Sequence, residues 1–199
     1  MFLTVFVVWL VAVVTPGPNF FLVAHKAAGG SRISAVQCVL GLASGTFIWA
    51  LCGYFGVSML FRAAPWLYIS LKLAGGGYLV WLGLKLLFKK SAASGNGGGS
   101  VSDGFIKNFR AGLLTNLSNP KTAAFVTSLF AAALPHGAPL STGLISTAIM
   151  CTVSLAWYSL VAYLFSMERF MRAYKSSRRR MEKAAGVIFI AFGARLALK

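Results

Sequence analysis

The sequence predicts an all-α integral membrane protein of six transmembrane helices, built as two inverted three-helix repeats with helices 1 and 4 broken. Three observations carry that expectation. Hydrophobic types make up 58% of the 199 residues and the mean hydropathy is +0.76, more than a water-soluble domain could keep in solution. Six stretches approach or exceed the roughly 20 apolar residues that cross a bilayer core: Phe2–Ala24, Val36–Phe61, Leu67–Phe88, Phe109–Leu134, Leu140–Phe165 and Ala184–Leu198. The first and fourth of these carry prolines that an uninterrupted helix would not hold.

The first span breaks at Val13-Val14-Thr15-Pro16-Gly17-Pro18-Asn19. With Thr15 as N-cap of a second half-helix, Pro16 falls at N1 and Pro18 at N3, where backbone N–H groups have no intrahelical partner to lose. Broken backbone inside a bilayer is tolerated only where protein or a water-filled cavity satisfies it, so the break points to a pathway. The segment Phe2–Val14 has the length of a secretory signal core but no positive n-region and no small-x-small cleavage site, and it is read as mature protein. In the second span Gly41, Gly45 and Gly53 share one helical face and allow another helix to approach closely. Trp49 beside them is expected to pack there or to line a cavity.

The third span carries Gly76 and Gly83, followed by Ser91–Ser102, mostly Gly, Ser and Ala. This reads as a flexible cytoplasmic linker at 91–104, dividing a first repeat, 1–90, from a second, 105–199. Gly186 and Gly193 stand seven residues apart, as Gly76 and Gly83 do. Three spans per half is an odd number, so the second copy would lie upside down relative to the first. Its counterpart break is Thr115-Asn116-Leu117-Ser118-Asn119-Pro120-Lys121, with Asn119 as N-cap and Pro120 at N1 of a half-helix running to Leu134. Both breaks are expected nearer the cytoplasmic face than the midplane. Pro135–Pro139 is a tight outer turn holding His136 in solvent, and His25 is read as solvated too. The sixth span is short and contains Arg195, so a five-span or re-entrant arrangement stays open.

Charge sets the orientation. Nineteen basic residues oppose three acids, Asp103, Glu168 and Glu182, for a formal net charge of +16. The basic residues cluster after odd spans: Lys26 and Arg32; Lys85, Lys89, Lys90, Lys107 and Arg110; then Arg169, Arg172, Lys175, Arg178, Arg179, Arg180 and Lys183. By the positive-inside rule the odd loops are cytoplasmic and both termini lie outside. Such sorting fits a membrane topology with anionic lipid contacts, and no nucleic-acid partner is expected. Cys38, Cys52 and Cys151 lie in spans without C-x-x-C spacing, so neither a disulfide framework nor a metal site is expected.

Helix N-termini offer unpaired N–H donors and the positive end of a dipole, a setting for a carboxylate. The candidate binding residues are therefore Thr15, Pro16, Gly17, Pro18, Asn19, Asn116, Asn119, Pro120 and Lys121. Carbonyl ends of the preceding half-helices could take an ammonium, so the set suits a small zwitterion. No span contains an acid, and a dicationic solute would find no charged partner; a neutral substrate is expected. The spans hold no carboxylate pair, Ser/His/Asp set or phosphate-binding glycine loop, which argues against an enzyme; no cofactor is expected. Self-association stays open.

Thr15-Pro16-Gly17-Pro18-Asn19, Gly76-x-Tyr78-Leu79-x-x-Leu82-Gly83 and Leu113-Leu114-Thr115-Asn116-Leu117-x-Asn119-Pro120-Lys121 occur in this order along nearly the whole chain. In these motifs the sequence resembles the LysE/RhtB amino-acid exporter family. The resemblance implies a multi-pass carrier of the bacterial inner membrane that moves amino acids or close relatives out of the cytoplasm, driven by the proton gradient. The expected function is an alternating-access exporter of a small neutral amino acid or derivative. A passive channel or a structural membrane subunit is the alternative.

Overall fold

The computed structural model describes residues 1–28, 32–63, 104–135 and 137–167 throughout, and separate positions between 66 and 88 and between 169 and 194. More than half of the expected third span, part of the sixth and residues 91–103 of the linker lie outside the described residues, and with them Gly76, Tyr78, His136, Arg195 and Lys199. Six helices are delimited: α1 Phe2–Val14, α2 Pro18–Ala28, α3 Arg32–Ala63, α4 Phe105–Leu117, α5 Pro120–Ala133 and α6 Leu140–Phe165. The described residues contain no strand. Two of these helices are long and apolar enough to cross a membrane, over Arg32–Val57 and Leu140–Phe165. The pair α1 and α2, bent by 55° at its break, makes a third crossing if taken as one span.

Both expected interruptions are present, and proline chemistry explains them. A residue before proline is pushed out of the helical region into an extended one. Thr15, before Pro16, ends α1 at φ −66°, ψ 123°, and Asn119, before Pro120, stands at φ −83°, ψ 105°. The details at the first break differ from expectation. Thr15 is not the N-cap of α2 but the C-cap of α1: its N–H and its Oγ1 both donate to Val11 O, at 3.1 and 2.7 Å. The second half-helix begins at Pro18, and Gly17 O accepts its first hydrogen bond, from Phe21 N–H at 3.0 Å. A threonine hydroxyl can bond back to the carbonyl four residues earlier as readily as it can cap forward, and here the first helix takes it. The two halves of each pair are nearly equal, 13 and 11 residues for α1 and α2, 13 and 14 for α4 and α5. Each break therefore sits near the middle of its pair instead of toward one end, because helix continues into the polar residues that flank the apolar stretches.

Helix α3 forms the axis of the bundle, touching α2, α4, α5 and α6. Between helices in lipid, burying apolar surface gains little, and close packing carries the association. Gly41 and Gly112 make the closest approach. A Cβ on Gly41 would run into Phe109 O, and one on Gly112 into Cys38 O. Gly45 brings α3 against the Asn116 side chain, and Gly53 lies under Val126 and Phe130 of α5. The terminal part of the chain joins the core through Phe189, whose ring lies 4.5 Å from that of Phe125, while a Cβ on Gly83 would meet Gly186 O at 2.6 Å. Outward faces stay apolar: Phe47 on α3 is 48% exposed and Leu144 on α6 is 49% exposed, the surface of a helix in contact with acyl chains.

Polar contacts fix the two ends of the bundle. Arg32 Nε donates to Ser166 Oγ at 2.7 Å and the guanidinium lies over Tyr163, joining the start of α3 to the end of α6. Asn108 Nδ2 donates to Gln37 Oε1 at 2.8 Å, which brings Lys107 and Arg110 of α4 to that same end. At the other end Tyr54 OH donates to Ala138 O at 3.0 Å.

Because a methyl on either packed glycine must displace backbone, Gly41→Ala and Gly112→Ala should each cost about 1–3 kcal/mol in detergent unfolding. Gly56, with open space around it, is the internal comparison: Gly56→Ala should be neutral or stabilise by up to about 1 kcal/mol.

Candidate functional site

The two breaks meet. Asn119 Nδ2 donates to Asn19 Oδ1 at 3.0 Å, a buried bond across 100 positions of chain. The same Asn119 side chain accepts from Lys121 N–H at 3.1 Å through Oδ1, so it caps α5 and ties the two interruptions together. Lys121 then reaches back: its Nζ donates to Thr15 O at 2.7 Å, at the C-terminal, negative end of the α1 dipole. The carbonyl left open at the first break is thus satisfied by a side chain of the second, and the amide at the second break by its own cap.

Between them lies a cavity of about 20 Å³, lined by Thr15, Gly17, Asn19, Asn119, Lys121 and Thr122 together with Trp9, Phe20, Thr46, Phe125 and Tyr158. That volume holds about one water molecule and is several times too small for an amino acid. Its walls combine apolar faces with a few converging polar groups, the usual make-up of a small-molecule site. The Tyr158 phenol lines the same cavity as the Asn19 side chain. Trp9 is held by α6, its Nε1 donating to Met150 O at 3.0 Å and Ser154 Oγ at 2.9 Å.

Of the residues expected from sequence, Thr15, Gly17, Asn19, Asn119 and Lys121 are brought to one cavity, and Pro16, Pro18 and Pro120 shape the backbone around it without lining it. Asn116 stands one layer behind. Its Nδ2 donates to Thr46 Oγ1 at 3.2 Å, Trp49 Nε1 donates to its carbonyl at 3.3 Å, and its Oδ1 is buried without a partner in the structure. Gly41 lies against α4, away from the cavity wall, and Gly45 packs on Asn116. Trp9, Thr46 and Tyr158 were not anticipated; in sequence each sits in an apolar run with nothing local to set it apart. Among the described residues no cluster of His, Cys, Asp or Glu could hold a metal ion.

Residues 10–199 match the family model described as LysE type translocator. The chain is similar to the threonine efflux protein of Escherichia coli (strain K12), 33% identical over 98% of this chain and 97% of that protein. It is 30% identical to an uncharacterized membrane protein of Haemophilus influenzae, over 97% of this chain and 94% of that one. The leucine efflux protein of Salmonella choleraesuis is 26% identical over 93% of this chain and 89% of its own length. No solved structure matches.

The link between the breaks should be measurable. Asn119→Ala removes an N-cap, worth about 1 kcal/mol, and leaves buried Asn19 short of a partner, at about 1–3 kcal/mol. Asn119→Ser, which can still cap, should lose only the second part. In a cycle with Asn19→Ala, unfolding in detergent should reveal a coupling of at least about 0.5 kcal/mol; strict additivity would contradict the contact.

Proposed function

This chain belongs to the LysE type translocator family, and from that premise we propose that it is a secondary transporter exporting a small neutral amino acid or derivative from the bacterial cytoplasm, coupled to proton entry by alternating access. The observation that carries the reading is the cavity shared by the two helix breaks. The α5 N-terminus, with the Thr122 amide and the Lys121 amide that Asn119 Oδ1 holds until a solute displaces it, suits a carboxylate; the α1 C-terminus, at Thr15 O, suits an ammonium. The side chains around them, Asn19, Asn119, Thr46 and Tyr158, are neutral. Together they fit the backbone portion of an α-amino acid, and relatives named for threonine and leucine efflux support neutral side chains as cargo.

Alternating access fits a cavity too small for its cargo. A solute can enter only if the contacts at Asn19–Asn119 and Lys121–Thr15 open, and a passive pore would need no such closure. We further read the chain as six spans in two inverted repeats, 1–90 and 105–199, joined by a cytoplasmic linker at 91–104. The matched pair of broken helices supports this arrangement, as does the spacing shared by the two glycine pairs. Gathering of Lys107 and Arg110 at the same end as Arg32 supports placing that end in the cytoplasm, with both termini outside the inner membrane.

Purified protein in proteoliposomes should exchange labelled for unlabelled threonine or leucine across the bilayer with saturation, which a pore does not do. Asn119→Ala should slow that exchange by about 10-fold or more, the loss expected when a hydrogen bond worth about 1.5–3 kcal/mol to a charged group disappears. Exchange at the original rate would remove Asn119 from the site.

A further inference from the structure

The export reading does not say which atom carries the coupled proton. Among the described residues no carboxylate lines the cavity, and Lys121 is the one cationic side chain that does. Resting on that reading, we propose that Lys121 is the coupling residue: its ammonium and the α-ammonium of the amino acid take turns on the Thr15 carbonyl, so that one proton enters for each zwitterion that leaves.

The geometry makes the two ammonium groups competitors. Thr15 O is the acceptor at the negative end of α1, the feature of this site that an ammonium would seek, and Lys121 Nζ already holds it at 2.7 Å, the length of a charge-assisted bond. Nothing interposes. The lysine passes directly over Gly17, where a Cβ would stand 3.5 Å from both Cδ and Nζ. A cavity of about 20 Å³ has room for about one water beside the lysine head and none for an amino acid.

Displacement has a chemical consequence. The polar groups that face the cavity besides Lys121 are Thr15, Gly17 and Asn19 from the first break, Asn119 from the second, Trp9 from α1, Thr46 from α3, Thr122 from α5 and the Tyr158 phenol from α6, and none carries a charge to hold an ousted ammonium. A buried ammonium left without a partner costs several kcal/mol. That cost falls away if the N–H bond breaks and the proton passes to water in the cytoplasm-open cavity. The neutral amine then crosses with the substrate. After release, outside water returns a proton to the nitrogen lone pair, and the re-formed ammonium settles on Thr15 O for the return. On both crossings the same carbonyl carries one ammonium.

The test uses the full chain in proteoliposomes with labelled threonine and leucine, assayed for exchange at equal pH and for transport against an imposed gradient. For one-for-one coupling, a gradient of about one pH unit should drive about 10-fold accumulation in the wild type, since 1.4 kcal/mol is a factor of ten. Lys121→Met should still exchange, more slowly than wild type but above protein-free vesicles, with no accumulation driven by the gradient. Lys121→Arg, whose guanidinium keeps its proton, should remain on Thr15 and lose both activities. Gradient-driven accumulation by either variant overturns the inference, and so does a folded Lys121→Met protein that exchanges nothing. If Lys121→Met is not recovered folded, Lys121→Arg decides alone. Failure of the wild type to exchange either amino acid overturns the export reading itself.

Discussion

Inside a bilayer no peptide group can turn to water, so a helix interrupted there must find partners within the protein. The architecture around the cavity follows from that constraint. The first break exposes a carbonyl that the second satisfies, Lys121 Nζ taking Thr15 O, while Asn119 caps its own helix and holds the Asn19 side chain. Such pairing costs little while the contacts are made, and it leaves a set of buried donors and acceptors that a solute with matching charges could replace.

The surrounding helices keep the two breaks at one depth. Backbone-to-backbone approach at Gly41 and Gly112 locks α4 onto α3, and Asn116 on α4 then holds Thr46 toward the cavity. From the other side α6 anchors Trp9 through Met150 O and Ser154 Oγ and packs Phe165 edge-on to Phe20 at 5.2 Å. The contacts that close the gap between α1–α2 and α5 are the ones an opening motion would have to separate. The hydrogen bonds that must break are few and side-chain mediated.

Much of this was legible in the sequence. Prolines at 16, 18 and 120 announced the breaks because proline acts on its own neighbours, and Asn119 as a cap is read from two adjacent residues. Gly41 and Gly45 were recognisable as a close-packing face from their helical spacing. What escaped was non-local. Thr15 can cap forward or bond backward, and only the position of Val11 O decides. Lys121 meets Thr15 across 106 positions, a pairing that no window of sequence contains. Trp9, Thr46 and Tyr158 belong to apolar helices whose periodicity hides which face turns inward.

The central claim is that the amino acid sits where the two breaks meet. Its most direct test places Gly17→Cys in a chain with Cys38, Cys52 and Cys151 replaced, and follows labelling by a small charged thiol reagent with and without saturating threonine or leucine. A thiol at position 17 should react from the cavity and be protected by the transported amino acid, while one at lipid-facing Phe47 should not be protected. Labelling at position 17 that is unaffected by any transported amino acid would contradict the account.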